Sequence, residues 1–161
     1  MNRLKFGFGV IWALPVTIVA LLVYVAPFCA LKWYKCVGVK NIAIIFTLSD
    51  SAPNFLKKAW ERTGGHTFGN VVVFKKEPDE NLRASQALFA HEMTHVRQYM
   101  CLGLFMPIMY CVCSLIGKIL EKSIGKYDSY FDNPFEIQAR RNAGQVIDVI
   151  GLVDKLKSMK K

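Results

Sequence analysis

The chain has 161 residues, a formal net charge of +9 from 21 Lys and Arg against 12 Asp and Glu, and 53% hydrophobic side chains. With an N-terminal apolar segment set aside, about 130 residues remain, enough for one compact domain and no more. The odd count of five cysteines argues against a disulfide framework: Cys101, Cys111 and Cys113 sit in an apolar run, and Cys29 and Cys36 flank the first segment, as buried reduced thiols do.

From Phe6 to Phe28 there is no charge. A helix of that length crosses a bilayer core of ~30 Å at ~1.5 Å per residue, so the stretch reads as a membrane span. Arg3 and Lys5 would also suit the start of a cleaved signal peptide, but Pro27 and Phe28 spoil the small-residue cleavage pattern, which favours an uncleaved anchor over residues 1–35. Lys32, Lys35 and Lys40 follow the span, and the positive-inside count tips toward a catalytic portion on the cytoplasmic side.

Residues 36–161 are expected to form the domain proper. Asn41 to Leu48 is an apolar strand candidate, followed by a short amphipathic helix with Pro53 near its start, Phe55, Leu56, Ala59 and Trp60 on one face, and Gly64 as its stop. Residues 66–75, with Thr67, Phe68, Val71, Val72, Val73 and Phe74, read as a second strand with Gly69 as a bulge. His66, next to Gly64-Gly65, reads as a polar turn histidine more than as a ligand.

Asn81 to Leu102 holds no Pro or Gly, and its apolar residues recur at helical spacing, with Asn81 as N-cap and Gly103 as stop. Within it lies His91-Glu92-Met93-Thr94-His95. Side chains four apart share one helix face, so His91 and His95 can offer imidazole nitrogens to one metal ion, while Glu92, one step round, is placed to act as a general base. Catalytic zinc takes three protein ligands and keeps one position for water. A third ligand is therefore expected among the downstream acids Glu121, Asp128, Asp132, Glu136, Asp148 and Asp154.

Glu136 stands out, because Asn133-Pro134-Phe135-Glu136 reads as a helix start with Asn133 as N-cap and Pro134 at the first position. A capping box also places a Glu there, and spacing alone does not choose between ligand and cap. From Pro134 to about Met159 the residues Ile137, Ala143, Val146, Ile147, Ile150, Val153 and Leu156 form the apolar stripe of a last helix.

Together, His91 to Tyr99 and the later run Tyr130 to Glu136 with Ala139 resemble zincin metallopeptidases of the gluzincin kind. More closely they are similar to small bacterial and phage-type proteins in which a His-Glu-x-x-His-x-x-Gln helix precedes an Asn-Pro-Phe-Glu helix. The match covers about residues 63–143, on the span of the two motifs. The resemblance implies one zinc ion held by His91, His95 and Glu136, Glu92 as base, and a strand beside the active-site helix that pairs with an extended peptide. Arg140 stands where the best-known gluzincins carry an Asp, which leaves the residue that orients a ligand histidine unassigned. No Tyr or His electrophile is assigned by the sequence, although Tyr127 and Tyr130 precede Glu136 closely enough to be candidates.

The expected fold is thus α+β: an N-terminal membrane helix, then a minimal zincin-like domain of small sheet, active-site helix, apolar helix and C-terminal helix. The uncharged run Tyr99 to Gly117, broken by Gly103 and Pro107, must return if Glu136 is to meet His95, and reads as a membrane-hugging core helix. Lysines at 57, 58, 155, 157, 160 and 161 suit an acidic leaflet. Nucleic acid is not an expected partner, since no helix-turn-helix or stacking module is present. The expected function is membrane-anchored peptide hydrolysis, with a peptide or protein as substrate. The alternative is a non-catalytic membrane adaptor with a structural or vestigial metal site.

Overall fold

A computed structural model describes residues 3–60, 63–124 and 128–145. The architecture is α+β with a four-stranded mixed sheet. An N-terminal helical rod runs through α1 (Arg3–Val19), a π-helical stretch (Ala20–Val25) and α2 (Ala26–Ala30). Next come β1 (Tyr34–Lys40), β2 (Ala43–Leu48), α3 (Asn54–Ala59), β3 (Gly65–Phe68) and β4 (Val71–Phe74). Three helices follow among the described residues: α4 (Arg83–Leu102), α5 (Phe105–Ile124) and α6 (Pro134–Asn142).

The sheet order is β1-β2-β4-β3, antiparallel except for the parallel β2–β4 pair. β4 is central and covered on both faces, which is why Val71 to Phe74 reads as an unbroken apolar run and is wholly buried. Its alternate residues feed two cores. Val72 and Phe74 join Ile45, Met93, Val96 and Met100 under α4, whereas Val71 and Val73 join Phe46, Leu56 and Trp60 on the other face.

The N-terminal rod reaches both cores, through Ala13 on one side and Ala20 and Val25 on the other. One N-terminal helical segment, Gly7–Ala30, is apolar enough to cross a membrane. It also packs on the domain. Gly9 lies against Met100, and Thr17 Oγ1 accepts a hydrogen bond from the Asn70 N–H at 2.9 Å, tying the rod to the β3–β4 turn.

Several expectations need correction. Residues 66–75 are a hairpin and not one bulged strand, because Gly69 takes φ 60° and turns the chain through Asn70. β1 has no counterpart among the expected elements. Lys35, Gly38 and Lys40 hide its alternation, and a bulge between Cys36 and Gly38 shifts its register. Asn81 does not cap α4. Its N–H instead closes a turn on the Asp79 carboxylate at 2.8 Å, and Leu82 is the residue before the helix.

α4 stops at Gly103, and α5 then departs at 114°. Gly103 has φ 55°, and a Cβ there would lie 2.5 Å from the Trp12 indole nitrogen, so conformation and space both require glycine. The uncharged run does return, since Glu136 meets His95, and α5 joins the core through Met106 with Tyr110 packed beside it, but its other face, with Phe105, Ile108, Val112, Leu115, Ile116 and Ile119, is exposed. Cys36, Cys101 and Cys111 are exposed thiols, contrary to the expectation of burial. α6 ends at Asn142 in a Schellman turn: Gly144 takes φ 64°, and the Gln145 N–H reaches back to the Arg140 carbonyl at 3.0 Å. The rest of the expected last helix, to Met159, and the lysines at 155–161 lie outside the described residues.

Candidate metal centre

The site begins with a helix start. Asn133, fully buried, accepts a hydrogen bond from the Phe135 N–H at 3.0 Å and donates its side-chain amide to Ser114 Oγ on α5 at 2.9 Å. Pro134 takes the first helical position, where a missing N–H costs nothing. With the cap supplied by Asn133, the Glu136 carboxylate is free to point elsewhere, and it points at α4. Its Oε2 lies 3.3 Å from His91 Nε2, and its Oε1 lies 3.3 Å from His95 Nε2.

The two imidazoles, one turn apart, bring their Nε2 atoms within 3.2 Å of each other. His91, His95 and Glu136 are all buried and form a group that could hold a metal ion. The triangle has the right size. Ligand atoms at about 2.1 Å from a tetrahedral zinc stand about 3.4 Å apart.

The partners at Nδ1 favour one tautomer of each neutral ring. The Gln98 side-chain nitrogen donates to the Phe135 carbonyl at 3.1 Å and to Gln138 Oε1 at 2.8 Å, so its oxygen is the atom 2.8 Å from His95 Nδ1. An oxygen there requires Nδ1–H, which leaves Nε2 as a lone pair in the neutral ring. His91 has the same arrangement, with Gln145 Oε1 at 3.1 Å from Nδ1. In the neutral rings both Nε2 lone pairs then face the Glu136 carboxylate, whose buried Oε2 has no hydrogen-bond partner among the described residues. A cation between them relieves that repulsion, so the donor set fits a metal.

The electrostatics describe the other state of the rings, protonated at Nε2 as well and donating to the carboxylate. Burial alone would raise the Glu136 pKa, but these hydrogen bonds and charges from His91 and His95 outweigh it and hold the carboxyl well below its ordinary range. Burial disfavours the His95 imidazolium, yet the Glu136 carboxylate and then Glu92 raise its pKa on balance. Tyr110, from α5, donates its hydroxyl to Glu136 Oε1 at 2.9 Å. Arg140 Nη2 stands 3.8 Å from Oε2 and stacks its guanidinium 4.5 Å over the Phe131 ring.

Glu92 is separate from this triangle and is held by the edge strand. Thr67 Oγ1 on β3 donates to Glu92 Oε2 at 2.7 Å. Gly65 gives the carboxylate its space, since a Cβ there would lie 2.7 Å from Oε1. Burial raises the Glu92 pKa, with His95 and Thr67 pulling the other way. The carboxylate opens into a cleft of about 330 Å³ between β3 and α5, which Glu92, His95 and Glu136 line together with Tyr110 and Tyr130.

His66 is on the same strand as Thr67 but one residue away, and so faces the opposite side of the sheet. Its ring stacks on Trp60 at 4.2 Å and its Nδ1 lies 3.0 Å from the Tyr24 hydroxyl. It is a strand residue and no part of the His-His-Glu group. Asp128 closes a turn onto Tyr130 and Phe131, and Glu121 accepts from Ser129. Asp148, Asp154 and Tyr127 lie outside the described residues.

Gln98, Gln145, Tyr110, Thr67 and Gly65 had not been singled out as site residues. Only Gln98 leaves a signal, three residues after His95, where a helix brings the two side chains together. Tyr110 is masked by the apolar run around it.

Among protein families, a family model described as the eCIS (extracellular contractile injection system) core domain matches residues 59–101. The matched stretch takes in the β3–β4 hairpin and nearly all of α4, and so includes Glu92 and both histidines but not Glu136. No curated protein and no solved structure matches the chain.

Proposed function

We propose that the chain is a membrane-held zinc metallopeptidase of the gluzincin kind, with His91, His95 and Glu136 as ligands and Glu92 as general base. The observation that carries the reading is the pairing of two carboxylates with different surroundings. Glu136 joins both imidazoles, while Glu92 stands apart, clamped by Thr67 at 2.7 Å, in the same cleft. Two imidazoles and one carboxylate are the donor set of zinc peptidases. When bound, the ion supplies Lewis acidity and a water with a pKa near 7.

Glu92 takes the proton from the attacking water and passes it to the departing amine, a role suited to a buried carboxylate whose pKa burial raises. Gln98 and Gln145 keep the imidazole protons on Nδ1 and away from the centre. β3 is an edge strand of the sheet and borders the cleft, so an extended peptide can add to it by main-chain hydrogen bonds. The N-terminal rod serves as the membrane anchor.

The test uses the full chain and a peptide library. Glu92→Gln keeps the shape of the side chain and removes its basicity, so cleavage is expected to fall on the order of 10²-fold or more while zinc content stays unchanged. A zinc-loaded wild type that cuts no peptide would leave the metal without this function.

A further inference from the structure

α5 has two faces of different use. Met106, Pro107, Tyr110 and Cys111 turn toward the cleft, and Tyr110 reaches Glu136. On a helical wheel the opposite side carries Phe105, Ile108, Met109, Val112, Leu115, Ile116 and Ile119, all large, apolar and exposed, with no charged residue among them. Seven such side chains on one stripe make a far larger apolar surface than the scattered hydrophobics of an ordinary soluble face.

The stripe does not end at α5. Gly103, at the turn into α5, is packed against Trp12 of the N-terminal rod, and Trp12 stacks on Phe8 at 6.1 Å. Leu104 and Phe105 are exposed beside that turn, and Phe8, Ile11, Leu14, Ile18 and Leu22 continue an apolar stripe along the rod. The two stripes therefore meet. One of them belongs to a segment apolar enough to cross a membrane, and what surrounds that segment also surrounds the start of α5. Lys118 and Lys122 flank the far half of α5 off the stripe, in a chain of net charge +9. An apolar stripe with lysines along one side, Glu121 lying beyond them, suits the boundary between headgroups and acyl chains of an anionic leaflet.

We propose that the outer face of α5 is embedded in the acyl region of a bilayer, as a second membrane contact lying along the surface beside the N-terminal rod. The cleft wall formed by the inner face of α5 is thereby held at the membrane, and Tyr110 connects the embedded helix to the metal centre. The occupant of the stripe is lipid and not a second copy of the chain.

The experiment reconstitutes the full chain in vesicles of phosphatidylcholine and phosphatidylglycerol and adds a reporter by Ile116→Trp, read as the difference from wild type. The added emission is expected to be shifted to the blue and quenched at least twofold when the acyl chains are brominated. Val112→Trp provides a second reporter on the same stripe if Ile116→Trp does not fold. Emission at the wavelength of water-exposed indole, with no quenching by brominated lipid, overturns the proposal. So does an added tryptophan that is shielded but unquenched in a chain that sediments as a dimer.

Discussion

Gln98 holds His95 by its Nδ1 and α6 by the Phe135 carbonyl: one amide, with its oxygen 2.8 Å from the ring and its nitrogen 3.1 Å from the backbone. α4 and α6, the helix that bears Glu136, are thus locked through the same group that faces the His95 Nδ1. Gln98→Leu is expected to weaken zinc binding by roughly 10- to 100-fold. Gln98→Glu restores an acceptor for Nδ1 and is expected to recover part of that loss. Competition titration against a chelator measures both.

Glu136→Ala is expected to lower zinc affinity sharply without unwinding α6, because Asn133 already caps the helix. Asn133→Ala is the converse change. It removes the cap and the bond to Ser114, and is expected to cost about 1–2 kcal/mol of stability. Circular dichroism melts with zinc present and absent separate the two variants.

Gly65→Ala puts a methyl group 2.7 Å from Glu92 Oε1. The carboxylate or β3 must shift. Loss of turnover with zinc retained is the expected result, since the atoms nearest the new methyl group all belong to Glu92 and not to a ligand. Turnover equal to wild type would mean that Glu92 does not depend on its position against the edge strand.

The pH profile reports the same carboxylate. A base must be deprotonated, and burial raises the Glu92 pKa, so the acidic limb of kcat/KM is expected above the ordinary Glu value of about 4.3. The Thr67 hydrogen bond favours the charged form. Thr67→Val removes it and is expected to move the limb to higher pH. A shift downward would reverse the assignment.

Much of the site was written in local spacing. His91 and His95 share a helix face by their four-residue offset, and Asn133-Pro134 marks a helix start strongly enough to orient Glu136. What spacing could not supply was the long-range geometry. Whether Glu136 capped its own helix or crossed to α4 depended on Asn133 taking the cap, and Tyr110 enters only because the chain turns by 114° at Gly103. The hairpin at 66–75 differs from the expected single strand for a similar reason. Gly69 with φ above zero is compatible with a bulge or a turn, and only the pairing of Thr67 with Val72 decides. β1 went unseen because a bulged edge strand carrying lysines keeps little alternation.

X-ray absorption at the zinc edge of the purified full chain addresses the centre most directly. The account predicts nitrogen and oxygen scatterers at about 2.0–2.2 Å, an imidazole pattern from two histidines, and the loss of one light scatterer in Glu136→Ala. Sulfur at about 2.3 Å, which would place the metal on the cysteines, or a spectrum unchanged by Glu136→Ala, would contradict it.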